Sequence, residues 1–394
     1  MISVNTPITA KTAFRFIILL GVISFFSDTV YEGARSITGP YLSLLHASGT
    51  ILGAIAGLGE LLAFVLRFFS GYLVDKTGRH WTLASIGYLC NIIAIPMLAL
   101  AVNWQTAAAL ILLERVGKAL RVPARDAMLS YASKKVGRGR GFGLHQVLDQ
   151  MGGMLGPLLV TFVLLYEENY PLAFALLLIP ALLTFLVLNY TRIAYKAPQT
   201  FEPEETSPSS HKKMPKLFWI YIAGLSFLAA GFVDFPLIAF HFHRAGLFPA
   251  VWIPITYVIA MGASALSAFF SGWLYDRFGA HVLIVSILLS SLFPAAVFLG
   301  NLTVALLGMI CWGIGLGSQR AIMKAIIADF VPQSLRGKAF GYFNALYGIA
   351  WRVVPHPRHH DARRHEARRG RHDQPHACPR LPGGHPRPYR ARAA

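Results

Sequence analysis

Charge is what this sequence has least of. Asp, Glu, Lys and Arg make up 14% of its 394 residues, against 55% hydrophobic residues, where an ordinary soluble domain carries about 25% charged residues. With a mean hydropathy of +0.52, most segments have no polar face to turn to water, which excludes a chain of water-soluble domains. Cysteine is nearly absent too. Cys90 and Cys311 sit in apolar runs and Cys378 lies near the end, with no paired spacing, so neither a disulfide framework nor a cysteine metal site is expected and all three read as packing residues. There is no G-x-x-x-x-G-K-[ST], which excludes a P-loop nucleotide engine. There is also no H-E-x-x-H and no nucleophile elbow, which leaves an intramembrane hydrolase without support. The first apolar run, from Phe14, passes into charged helix with no small-residue cleavage site and reads as a retained span rather than a signal peptide.

What is present is a series of long apolar runs. A helix needs about 20 mostly apolar residues to cross a bilayer, and ten runs qualify: 12–43, 48–72, 81–102, 105–131, 140–166, 170–192, 216–243, 249–273, 281–300 and 303–331, with an eleventh begun at 339–351. They are continuous rather than alternating. That predicts an all-α membrane bundle and not a β-barrel, since each lipid-embedded segment must satisfy its own backbone. With the N-terminus in the cytoplasm, the loops near Asp75, Lys134, Lys212, Asp276 and Arg336 lie inside and carry nearly all the loop Lys and Arg. Those on the opposite side hold only Arg244 and also carry Glu167 and Glu168. This asymmetry sets the orientation.

The net charge of +18 does not point to nucleic acid, because residues 352–394 alone hold eleven Arg, no Lys and three acids. This Arg/His/Pro-rich tail cannot complete the eleventh span. A metal-binding, lipid-binding or RNA-binding role for its seven His and its basic residues is weighed against a plainer expectation, that it is coding sequence read in the wrong frame. On that expectation the second repeat is truncated and the chain as written transports poorly. Residues 193–215 form a polar linker, read as flexible and cytoplasmic, between a six-helix bundle over 1–192 and an incomplete one over 216–351.

The chain repeats. Gly71-Tyr-Leu-Val-Asp75-Lys-Thr-Gly78-Arg79-His80 returns 201 residues later as Gly272-Trp-Leu-Tyr-Asp276-Arg-Phe-Gly279-Ala280-His281. Ser24-Phe-Phe matches Ser226-Phe-Leu at an offset of 202, which aligns Glu32 with Asp234. At an offset of 198, Gly117, Arg138 and Gly143 align with Gly315, Arg336 and Gly341. Two related halves of this kind enclose a site between them. The pattern G-x-L-x-D-[KR]-x-G-x-H resembles the cytoplasmic loop between the second and third helices of major facilitator transporters, over residues 12–351. The resemblance implies two six-helix halves working by alternating access. It also implies a latch in which Asp75 and Arg79 pair with an acid at the end of the fourth helix, where Asp126 stands. Ala280 and Lys324 replace Arg79 and Asp126 in the second copy, which puts a second latch in doubt. In the fifth span Gly143, Gly152, Gly156 and Pro157 resemble the signature of antiporter branches, with Val160 in place of the last glycine; plain small-residue packing is the alternative.

Buried charge is the sharper signal. Asp28, Glu32 and Arg35 share one face of the first span, and Glu114, Lys118, Arg121 and Arg125 share one side of the fourth. Asp149 and Asp234 add to the set. Each costs ~2.5–3.5 kcal/mol to insert, so the group is expected to face an aqueous cavity or its own members. Glu32 is the first choice of proton carrier and Asp149 the second, with static pairing as the alternative; His241 and His243 are placed at the outer interface. Acids in the first span together with the antiporter-like fifth span resemble multidrug-efflux branches of that superfamily, and the resemblance implies a proton-coupled exporter of small amphipathic molecules, with no cofactor or metal expected, monomeric, with lipid and a small solute as partners. A bacterial inner membrane is the expected location. An organic-anion carrier using Arg35, Lys118 and Arg121, or a non-transporting scaffold, are the alternatives.

Overall fold

The computed structural model describes residues 9–167, 169–202, 213–233, 235–247 and 252–353. Fourteen α-helices occur among them: α1 (Ala10–Leu44), α2 (Gly49–Thr77), α3 (His80–Met97), α4 (Trp104–Val136), α5 (Arg138–Glu167), α6 (Tyr170–Leu176), α7 (Leu178–Ala194), α8 (Lys216–Gly231), α9 (Phe235–Ala245), α10 (Ile253–Phe278), α11 (His281–Ser290), α12 (Phe293–Leu299), α13 (Leu302–Phe330) and α14 (Arg336–Val353). The chain is an all-α membrane protein. Asp234, His243's side chain and everything after residue 353 fall outside the described residues, and with them the readings of the tail.

The helix ends are written in the sequence, and differently on the two sides. At the end away from the charged loops, Ser48, Asn103, Asn169 and Asn301 each accept a hydrogen bond from a backbone amide of the first turn of α2, α4, α6 and α13, at 2.9–3.3 Å. Short polar side chains satisfy amides that a helix start leaves free. At the charged-loop end, Gly78, Gly137 and Gly279 stop α2, α4 and α10 with φ of 64°, 112° and 66°, a region that a Cβ disfavours.

Among the described residues, eight helical stretches are long and apolar enough to cross a membrane. Leu61, Phe69, Phe162, Leu186, Leu266 and Val285 are 59–63% exposed, an outer surface suited to hydrocarbon. The ten expected runs exceed these eight for physical reasons. The fourth span, α4, carries its charges inward, with Glu114, Arg121 and Asp126 at most 2% exposed. The seventh is not the continuous helix expected over 216–243. It breaks between α8 and α9, where the indole of Trp312 donates to the freed Val233 carbonyl at 2.9 Å. The eleventh runs from Arg336 to Val353, three residues earlier than expected at its start.

Within the first half, α1 packs on α5, and α4 on α2 and α3; within the second, α13 packs on α10, α11 and α12. The halves meet where α2 lies along α14 and α5 along α10. These crossings are glycine against glycine. A Cβ on Gly71 would run into the Gly337 carbonyl, and one on Gly272 into the Gly139 carbonyl. Gly143 belongs to this set, facing the Ala268 backbone of α10, whereas Gly152 and Gly156 lie against the Phe25 and Thr29 carbonyls of α1. The single expected signature therefore divides between a contact across the halves and packing inside one of them. Pro157 lies one residue on, within α5.

Candidate functional site

Two aspartates hold the charged-loop end together. The Asp75 carboxylate, at the end of α2, accepts the backbone amides of Gly337 and Lys338 at 2.7 and 2.8 Å, in the first turn of α14. Asp276, at the end of α10, accepts those of Gly139 and Arg140 at 2.7 and 3.0 Å, in the first turn of α5. First-turn amides lack partners within their helix and carry the positive end of its dipole, so a carboxylate placed there is stabilised by both. The arrangement is symmetric: each half sends one aspartate to a helix start in the other.

This corrects two expectations. Asp75 and Arg79 do not pair with Asp126; Arg79 instead lines a cavity of about 410 Å³ with Arg192 and Lys196. Asp276 makes its contacts despite Ala280 and Lys324, because its hydrogen-bond partners are backbone amides and need no matching side chain; the Arg140 side chain adds an ion pair at 3.5 Å. Gly78 and Gly279 serve as helix stops beside the two aspartates. Asp126 is fully buried between its neighbour Arg125, at 3.2 Å, and Lys324 of the other half, at 2.9 Å. Asp126 and Lys324 are repeat-equivalent positions that meet across the halves. Like charges there would repel on meeting, so the sign reversal between copies is what the pairing requires.

Deeper in the first half a second group forms between α1, α4 and α5. An Arg121 amine stands 3.8 Å from Asp28, with the guanidinium 4.8 Å over the Tyr88 ring. Arg125 lies 3.6 Å from Asp149 and donates to Ser24 at 3.0 Å, and Ser24 is 2.9 Å from His145. Asp149 also lies against Asp28. Arg320 of the second half reaches in to Gln150 at 3.0 Å. Several buried atoms here have no hydrogen-bond partner among the described residues: Arg121 Nε and Nη1, the Tyr88 hydroxyl, Ser27 Oγ and Asp149 Oδ1. Buried polar atoms are seldom left so, and such a cluster suits water or a solute.

Not every expected residue joins it. Glu32 pairs with Arg35 at 3.4 Å on a partly open face, the side chains 31% and 54% exposed. Glu114 lies 3.8 Å from Arg115, which also reaches Glu60 at 3.5 Å and the Tyr31 hydroxyl. Lys118 caps the Tyr31 ring at 3.3 Å. The eight described members of the expected set thus divide into an inner group around Asp28, Arg121, Arg125 and Asp149, and an outer one around Tyr31; the ninth, Asp234, lies outside the described residues. His241 packs on Phe298, 4.8 Å between rings. Ser24, His145, Gln150 and Arg320 are not among the expected site residues: Ser24 is read only as part of the repeat, Arg320 carries the same signal as the others, a charge inside an apolar run, and nothing but position marks His145 and Gln150.

Residues 17–355 match the family model described as Major Facilitator Superfamily. The chain belongs to the Major Facilitator Superfamily. An uncharacterised protein of Mycobacterium tuberculosis is 38% identical over 347 residues, 86% of this chain and 85% of that one. A multidrug resistance protein of Proteus mirabilis, MdtG, is 29% identical over 165 residues, 42% of this chain and 39% of that protein. The crystal structure of a bacterial homologue of the iron transporter ferroportin in its outward-facing state superposes with a TM-score of 0.68 at 13% identity, covering 86% of this chain and 90% of that one. This member of the superfamily is therefore a multi-pass membrane transporter and not an enzyme.

Proposed function

We propose that the chain is a proton-coupled exporter of small amphipathic compounds, working by alternating access as a monomer in a bacterial cell membrane, with its N-terminus and charged loops in the cytoplasm. The observation that carries this is the inner group, in which two carboxyls face each other beside two guanidiniums. Two adjacent carboxylates repel, and one proton between them relieves the repulsion. That is the chemistry a coupling site needs, and it favours Asp149 and Asp28 over Glu32. The likeness to a multidrug resistance protein, over part of the chain, supports export and an amphipathic solute. Positively charged loops support the orientation.

The test is proton release from acid-loaded proteoliposomes when a lipophilic cation is added. Asp149→Asn and Asp28→Asn should each retain less than a tenth of wild-type exchange and Glu32→Gln more than half; the reverse ranking refutes the assignment. A second reading, carriage of organic anions, is favoured by the unpartnered nitrogens of Arg121. It predicts that Arg121→Ala abolishes carboxylate uptake while leaving cation exchange intact.

A further inference from the structure

The polar segment between the halves, expected to be flexible over 193–215, contains an ordered strap. Pro198–Phe201 form a 3-10 turn. Phe201, 3% exposed, stacks on Phe16 of α1 with ring centroids 5.1 Å apart. Gln333, in the turn between α13 and α14, donates to the carbonyls of Gln199 and Glu202 at 2.9 and 3.2 Å. The strap is thus anchored in both halves.

Its last residue is the buried carboxylate of Glu202, 6% exposed. It accepts from Arg138 at 3.1 Å and from both terminal amines of Arg336, one of them at 3.0 Å, with Lys134 at 3.3 Å. Arg138 and Arg336 are repeat-equivalent. They open α5 and α14, the two helices whose first turns are held by Asp276 and Asp75. Among the described residues Arg138 has one other acid, Asp329, at 2.6 Å, and Arg336 otherwise donates to the Val331 carbonyl. Without Glu202, Arg336 would have no acid among the described residues and would face Arg138 with like charge.

We propose that Glu202 is a tie between the halves, a positioning residue of the transport cycle that holds this end shut and must release one arginine before it opens. A hydrogen bond reaches only about 3 Å, so one carboxylate cannot keep both arginines once α5 and α14 part. This rests on the alternating-access reading, and the experiment separates the two. The full chain, with Cys90, Cys311 and Cys378 replaced by alanine, is spin-labelled at Arg192→Cys and His281→Cys and placed in lipid nanodiscs. Distances between labels are then measured by double electron–electron resonance.

Wild type should give mainly the short, closed distance. Glu202→Gln should raise the open-to-closed ratio at least tenfold, and Gln333→Ala, which removes only an anchor, at least threefold. In an Arg336→Gln background Glu202→Gln should add less than twofold, since the partner is already gone; a purely local packing defect would add its full effect. Asp75→Asn is the reference that opens the end by a different contact. If Asp75→Asn opens it and both strap variants match wild type, the tie is refuted and the aspartate latch stands. If all three match wild type, the latch reading falls as well.

Discussion

A methyl group added to Gly71 or Gly272 should drive the transporter open at its charged-loop end without unfolding it. At Gly71 the new carbon would collide with the Gly337 carbonyl and come within 3.0 Å of the Gly341 Cα. At Gly272 it would collide with the Gly139 carbonyl and come within 3.2 Å of the Gly143 Cα. All of these are backbone atoms of the opposite half, so no side-chain rotation relieves the contact and the helices must move apart. Overpacking of this sort costs about 1–3 kcal/mol. Here the cost falls on the closed state alone, because the crossing is undone when the halves separate. It therefore appears as a shift of the closed-to-open equilibrium of roughly 5- to 150-fold, read from the same label pair in nanodiscs. Gly156→Ala supplies the contrast. Its methyl would strike the Thr29 carbonyl and crowd Gly33, within one half that stays together throughout, so it should lower melting temperature and yield while leaving the distances unchanged. Gly71→Ala and Gly272→Ala both giving the wild-type distribution, or Gly156→Ala shifting it as far as they do, would refute the reasoning.

Two further outcomes are expected. Asp126→Asn leaves Lys324 buried without its acid, a loss of about 3–5 kcal/mol for a broken buried pair. It should cut folded yield sharply, and removing the lysine as well, Asp126→Asn with Lys324→Met, should recover part of it, as checked by fluorescence-detected gel filtration; Arg125, which also bonds Asp126, keeps the recovery incomplete. For Glu202, burial alone would raise the carboxyl, but the hydrogen bond and charge of Arg336, with Arg138 and Lys134, hold it below its ordinary value of 4.5. A depressed value means the tie is at full strength above that pH and is lost only as pH falls further. The effect of Glu202→Gln on the open-to-closed ratio should accordingly be the same at pH 7.5 and pH 5.5, and a clear shrinkage by pH 5.5 would contradict it.

The sequence alone determined the solvent, the helices and the doubling. Scarce charge and long apolar runs admit little but lipid-embedded helices, glycine and asparagine mark where helices stop and start, and the fixed offsets between copies reveal two halves. These are local or periodic properties, legible without knowing what touches what. Pairing was not of that kind. Asp75 and Asp276 stood out as a repeated motif, yet their partners are backbone amides, which every residue carries and no sequence pattern can flag. Lys324 looked like a lost acid until it met Asp126 across the halves, and Glu202 looked like one more charge in a solvated linker until two arginines 198 positions apart closed on it. Which charges converge is decided by how the two bundles dock, because the energy of a buried ion pair depends on separation in space and on exclusion of water, and neither is a property of any one segment.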